Sequence, residues 1–159
     1  MVEAQKPEEE KKEEEEVVAD DSNWEGFSDP DYATNHYLTK AEAQSRSTLV
    51  SEVNYTLALG LVKGGQTFHG KVTIDWSQSR VAPDFVDDGD NKDCLFIDYK
   101  GKFIKSLVIN GTTVPQNTKN LWRNHRIYIP AEYQKKGINH VVIDFETFYV
   151  KDCQGFQYF

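Results

Sequence analysis

The sequence predicts a mainly β protein: an antiparallel β-sandwich carrying one short N-terminal helix and an acidic tail. Three observations predict it. Apolar and polar residues alternate with a period of two over several short stretches. Gly, Pro and Asn residues suited to turns separate those stretches. Only one segment, opening at Thr39, carries the signature of a helix start.

Along the chain, residues 1–22 come first and are low in complexity, with ten acids against Lys6, Lys11 and Lys12. Like charges at this density cannot bury enough apolar surface to offset the entropy of ordering, so this segment is expected to be a disordered tail. Residues 23–38 place Trp24, Phe27, Tyr32 and Tyr37 among Gly, Pro, Ser, Asp and Asn. That composition describes an extended strap whose aromatic residues pin it to its own domain. Thr39 and Glu42 have the spacing of a capping box, which predicts a helix of at most two turns over Lys40–Ser45.

From Leu49 the period becomes two. Val53, Tyr55, Leu57, Leu59 and Leu61 alternate with Asn54, Thr56, Ala58 and Gly60, which predicts a strand with one buried face. Lys63-Gly64-Gly65-Gln66 then turns the chain into a second alternating run at Phe68, Gly70, Val72, Ile74 and Trp76, forming a hairpin. Ser77–Asp93 is polar and acidic and reads as a long loop. Further strands are expected at Cys94–Asp98, Ile104–Ile109, Arg126–Ile129 and His140–Phe145, with turns at Asn110-Gly111, Pro115, Pro130 and Gly137–Asn139. At 159 residues the chain is sized for one folded unit, taken here as 39–159.

Charge and motif content exclude several functions. The net charge of −8 sits almost entirely in the tail; the rest of the chain has sixteen acids against fifteen bases. Without a basic face there is nothing to displace the counterions of a phosphate backbone, so nucleic acid is not an expected partner. There is no apolar run long enough to span a membrane and no secretory leader pattern, so membrane insertion and secretion are not expected. A cytoplasmic setting follows, with the cytoskeleton as one candidate. Cys94 and Cys153 are accordingly read as reduced thiols, and the Asn54 and Asn110 sequons as chance matches. His36, His69, His125 and His140 stand singly, as surface or turn residues. Asp84, Asp87, Asp88, Asp90 and Asp93 lack the Glu that an EF-hand needs after Gly89, so no metal or cofactor is expected. Trp122, Arg123, His125 and Arg126 form the one basic cluster with an aromatic residue. It reads as a solvated loop entering a strand or, more sharply, as a docking spot for an acidic segment. Trp24, Phe27, Trp122, Arg123 and Arg126 are thus the candidate partner contacts.

The run Tyr37-Leu-Thr-Lys-Ala-Glu-Ala-Gln-Ser-Arg-Ser-Thr-Leu-Val-Ser-Glu-Val-Asn-Tyr-Thr-Leu-Ala-Leu resembles the opening of M1 family zinc aminopeptidases of the aminopeptidase N type. The order of later motifs is similar to theirs: Phe68-His-Gly-Lys-Val-Thr-Ile-Asp, Leu95-Phe-Ile-Asp, Ile104–Gly111, Arg126-Ile-Tyr-Ile-Pro, Gly137–Ile143 and Tyr149–Gly155. The resemblance covers Tyr37–Phe159 and implies the first portion of that family's N-terminal β-saddle. The family's GxMEN loop, HExxH zinc site and catalytic Tyr belong to its later parts and do not occur in this sequence, so no residue is carried over as catalytic or metal-binding. The resemblance also implies that strands after Phe159 would cover the apolar face at Val141, Ile143 and Phe145, which is expected to need another cover here: the aromatic strap at Trp24–Tyr37, a second copy or a different partner. The function expected is a non-catalytic protein-binding or structural module within a larger assembly. The alternatives are the first segment of a complete zinc aminopeptidase, or a pseudo-subunit that regulates one.

Overall fold

The computed structural model describes residues 37–150 and Phe156. The acidic tail and most of the strap, including Trp24 and Phe27, lie outside the described residues. Helix α1 (Lys40–Leu49) starts at the capping box: the Glu42 amide donates to the Thr39 hydroxyl at 3.2 Å, and the Thr39 amide to the Glu42 carboxylate at 2.7 Å. It runs ten residues, longer than the two turns expected. Ser47 and Thr48, weak helix formers, satisfy their hydroxyls on the carbonyls of Gln44 and Ser45, and Leu49 reaches the core at the helix end.

The chain passes straight into β1 (Val50–Gly60), turns at Gly64-Gly65 and returns as β2 (Thr67–Gln78). The remaining strands are β3 (Phe96–Asp98), β4 (Phe103–Ile109), β5 (Thr112–Thr113), β6 (Trp122–Arg123), β7 (Arg126–Tyr128) and β8 (Gly137–Phe148), with a 3-10 turn at Ala131–Tyr133. They form two antiparallel sheets, ordered β1-β2-β8-β4-β5 and β3-β7-β6. The molecule is therefore mainly β and sandwich-like. At the β4–β5 hairpin Asn110 and Gly111 have φ of 50° and 83°, the left-handed pair that a two-residue turn of this hand requires.

Between the sheets lies one core, built from Ile74 and Trp76 of β2, Leu107 and Ile109 of β4, Val141 and Ile143 of β8, and Trp122 and Ile127 of the smaller sheet. Polar groups that enter it are satisfied. Gln78 accepts from the Trp76 indole at 3.0 Å and donates to Gln134 at 2.7 Å, while Gln134 in turn donates to the Ile129 carbonyl. Buried Asn139 accepts from Asn110 at 2.9 Å and binds both the amide and the carbonyl of Lys135, fixing the entry to β8.

Two burial expectations are corrected by this arrangement. Val141 and Ile143 need no outside cover: β8 is a central strand, and the smaller sheet packs over both residues, leaving only Phe145 half-buried. By contrast, β1 does not have a buried face. It is the edge strand of its sheet, and Tyr55, Leu57 and Val53 are 65%, 56% and 44% exposed.

A candidate docking face on the first strand

Antiparallel partners share a face, so the register of the β1–β2 ladder fixes the direction of each β1 side chain. Tyr55 pairs with Ile74, Leu57 with Val72 and Leu59 with Gly70. Ile74 is a core residue and Val72 packs against the core. Tyr55 and Leu57 thus extend the inner face of the large sheet past the reach of the small one. The result is an open groove of about 270 Å³ floored by Leu57, Val72 and Ile143, with Ile97 and Tyr99 of the opposite side and Phe145 at one end.

Arg46 and Asp98 form its charged rim, paired at 3.0 Å. Behind them is a more deeply held group. Arg126 donates to the Glu42 carboxylate at 2.5 Å, lies 3.6 Å from Asp98, and stacks over the Phe96 ring at 4.1 Å; the Arg46 guanidinium stacks over the same ring at 4.4 Å. Burial pushes the Glu42 carboxyl up, but hydrogen bonds from Arg126 and Thr39 outweigh it and bring the pKa down to about 2. This cluster locks α1 to the small sheet and holds one wall of the groove.

The backbone of β1 is the second component of the face. Its inward edge is paired to β2, and among the described residues no strand pairs with its other edge. A bulge between Ser51 and Asn54, with Glu52 at φ 54°, interrupts the ladder near its start; from Asn54 to Gly60 the pairing is regular. Edge strands are commonly protected by lysines, prolines or inward charges, and β1 contains no Lys, Arg or Pro.

The basic cluster does not form a docking spot as a unit. Trp122 and Arg126 are each 3% exposed, Trp122 donating its indole N–H to the Tyr99 carbonyl at 3.3 Å and Arg126 engaged with Glu42. Neither can meet a partner: Trp122 shares the core-facing side of the β6–β7 ribbon with Ile127, while Arg126 lies on the other face with Phe96 and Tyr128, where Glu42 of α1 covers it. His125 is buried in the turn between them, where a surface position was also allowed. Arg123 alone remains half-exposed, 3.3 Å from Asp87.

The acidic loop is occupied with its own architecture. Asp84 accepts from the Ala131 amide at 2.7 Å, Asp93 from the Ser45 hydroxyl at 2.6 Å, and Asp90 pairs with Lys92. Among the described residues, no three His, Cys, Asp or Glu side chains are grouped to hold a metal ion. Burial, followed by the nearby carboxylates Asp84, Asp93 and Asp90, pushes the Cys94 thiol up to about 11, so it is a poor nucleophile. A second cleft of about 320 Å³ lies over Leu95, Leu121 and Ile129, but its rim mixes Asp84, Lys119 and Glu132 without a common focus. No described helix is long and apolar enough to cross a membrane.

The edge position of β1 was not apparent from its alternation. One signal for it exists in the sequence: a first strand joined by a tight hairpin to the second has only one neighbour supplied by chain order. No protein-family model and no curated protein matches the chain.

Proposed function

We propose that this chain is a non-catalytic protein-binding module, a subunit or accessory of a larger assembly, and that it docks through β1 and the adjoining groove. The observation that carries the reading is the exposure of Tyr55 and Leu57 on an edge strand that is regular and uncharged from Asn54 to Gly60 and whose inner face continues a hydrophobic core. Such an edge offers two recognition elements together. Backbone donors and acceptors from Asn54 to Gly60, which no described strand pairs on their outer edge, can add a strand, and the groove can take side chains projecting from it. The likeness of Tyr37–Phe159 to the opening of an M1 aminopeptidase saddle fits the same reading, since that family's zinc-binding sequence lies outside the part this segment resembles.

Purification of tagged wild-type chain beside Tyr55→Lys and Leu57→Lys variants tests this. Companions that use the face are recovered with wild type and lost from both variants, whose melting temperatures stay close to wild type. Identical companions from all three would remove the proposal. The non-catalytic half is tested separately: the purified chain should release nothing from an aminoacyl reporter with or without added zinc, and zinc-dependent turnover would overturn it.

A further inference from the structure

The groove beside β1 lies next to the point where the N-terminal segment leaves the described domain. The Tyr37 carbonyl accepts from Arg126 at 3.5 Å, and the same guanidinium lies 3.6 Å from Asp98 on the groove rim. One side chain therefore separates Tyr37 from the groove. The segment that precedes it, residues 23–36, carries Trp24, Phe27 and Tyr32. An extended chain covers roughly 3.3 Å per residue, so a segment of this length can reach along all of β1.

We propose that the groove is occupied in cis by this strap, with Trp24 and Phe27 seated over Leu57 and Val72. The inference rests on the docking reading of the same face, and it names the segment with which a partner must compete. Three points favour the strap over a second copy of the chain. Its attachment point adjoins the groove, which gives it an effective concentration on the order of millimolar, above that of a second copy in dilute solution. Its aromatic side chains each offer about 150–250 Å² of surface for burial, matched to an apolar floor bounded by Tyr55 and Phe145. Its Gly26 and Pro30 suit an irregular segment laid across side chains, so the β1 edge itself stays available to an incoming strand.

Tryptophan quenching in the full chain tests this directly. Of the three tryptophans, Trp76 and Trp122 are buried in the core, so any residue open to acrylamide is Trp24. The expected result is that wild type shows no readily quenched fraction. Leu57→Asp and Tyr55→Lys should each expose one tryptophan of three, with a red shift in emission, while Ile138→Asp, an exposed control on β8, should not. A freely quenched Trp24 in wild type overturns the proposal, and so does protection that both β1 variants leave intact. Protection that disappears on dilution as a dimer dissociates assigns the groove to a second copy and also overturns it. If Trp24 proves exposed while companions are still lost with Leu57→Lys, the cis strap fails and the docking function stands.

Discussion

β1 and β8 have the same kind of sequence and opposite environments. Tyr55, Leu57 and Leu59 recur at every second position as Val141, Ile143 and Phe145 do. In β8 the apolar side is enclosed, Val141 and Ile143 being almost wholly buried, whereas in β1 the equivalent side is open. The difference lies in position. β8 has β2 and β4 as neighbours and the small sheet above it; among the described residues β1 has only β2. Alternation tells which residues share a face, and the topology decides whether anything lies on that face.

The largest expected effects compare these two strands. Ile143→Ala leaves a cavity in a packed core and should cost about 3 kcal/mol in urea denaturation. Leu57→Ala removes a side chain already half in water and should cost at most ~1 kcal/mol. A Leu57→Ala cost equal to that of Ile143→Ala would mean that β1 is enclosed as fully as β8.

The same contrast recurs within the basic cluster. Arg126→Met should destabilise the fold by about 3 kcal/mol, since it leaves Glu42 buried without its charge partner; adding Glu42→Gln should restore part of the loss. Arg123→Met, at a half-exposed pair, should change stability by about 0.5 kcal/mol or less. The Glu42–Arg126 pair also sets an acid limit. The Glu42 carboxyl is depressed from 4.5 to about 2, so its contribution is complete above pH 4.5 and is lost as pH falls toward 2. The wild-type stability should exceed that of Glu42→Gln by an amount that shrinks across that window. A difference that stays constant from pH 5 to pH 2, two bounds chosen to bracket the ordinary and shifted values, would show that Glu42 does not titrate there.

What could be read from the sequence was local. The capping box, the Gly64-Gly65 and Asn110-Gly111 turns and the long strands each depend on residues within a few positions of one another and occur where expected, except that Gly137–Asn139, read as a turn, is already paired with Trp76–Gln78 as the start of β8. The two-residue strands β5 and β6 are too short to have a period. The fate of Arg126 depends on Glu42, 84 residues earlier, and nothing near Arg126 announces that partner. The candidate site was hidden for the same reason: β1 resembles an ordinary buried strand until the sheet order is known. Of the five candidate contact residues, Trp122 is buried because its side of the β6–β7 ribbon faces the core, Arg126 because α1 covers the opposite side through Glu42, Arg123 stayed at the surface, and Trp24 and Phe27 lie outside the described residues.

The smallest expected effect comes from two glycines, one beneath a residue that lines the groove and one at the end of β1. Gly70 in β2 lies beneath Phe145, and a Cβ there would come 2.2 Å from the ring's ζ carbon. Gly60, at the end of β1, would place a Cβ no closer than 3.8 Å from the His69 carbonyl oxygen. Gly70→Ala therefore must displace the Phe145 ring, which also contacts Tyr99 edge-on at 5.4 Å. Because the ring stands at the groove and is half-buried, it can move toward the open side, and the cost should be about 1 kcal/mol, the low end for overpacking. Gly60→Ala meets only ordinary contact and should be neutral or slightly stabilising through the unfolded chain. The two variants differ in a second way that stability alone does not report. Moving Phe145 narrows the groove, so Gly70→Ala should raise the quenching of Trp24 while Gly60→Ala leaves it unchanged. Equal quenching in the two variants, with Gly70→Ala destabilised as expected, would separate the packing of Phe145 from the seat of the strap.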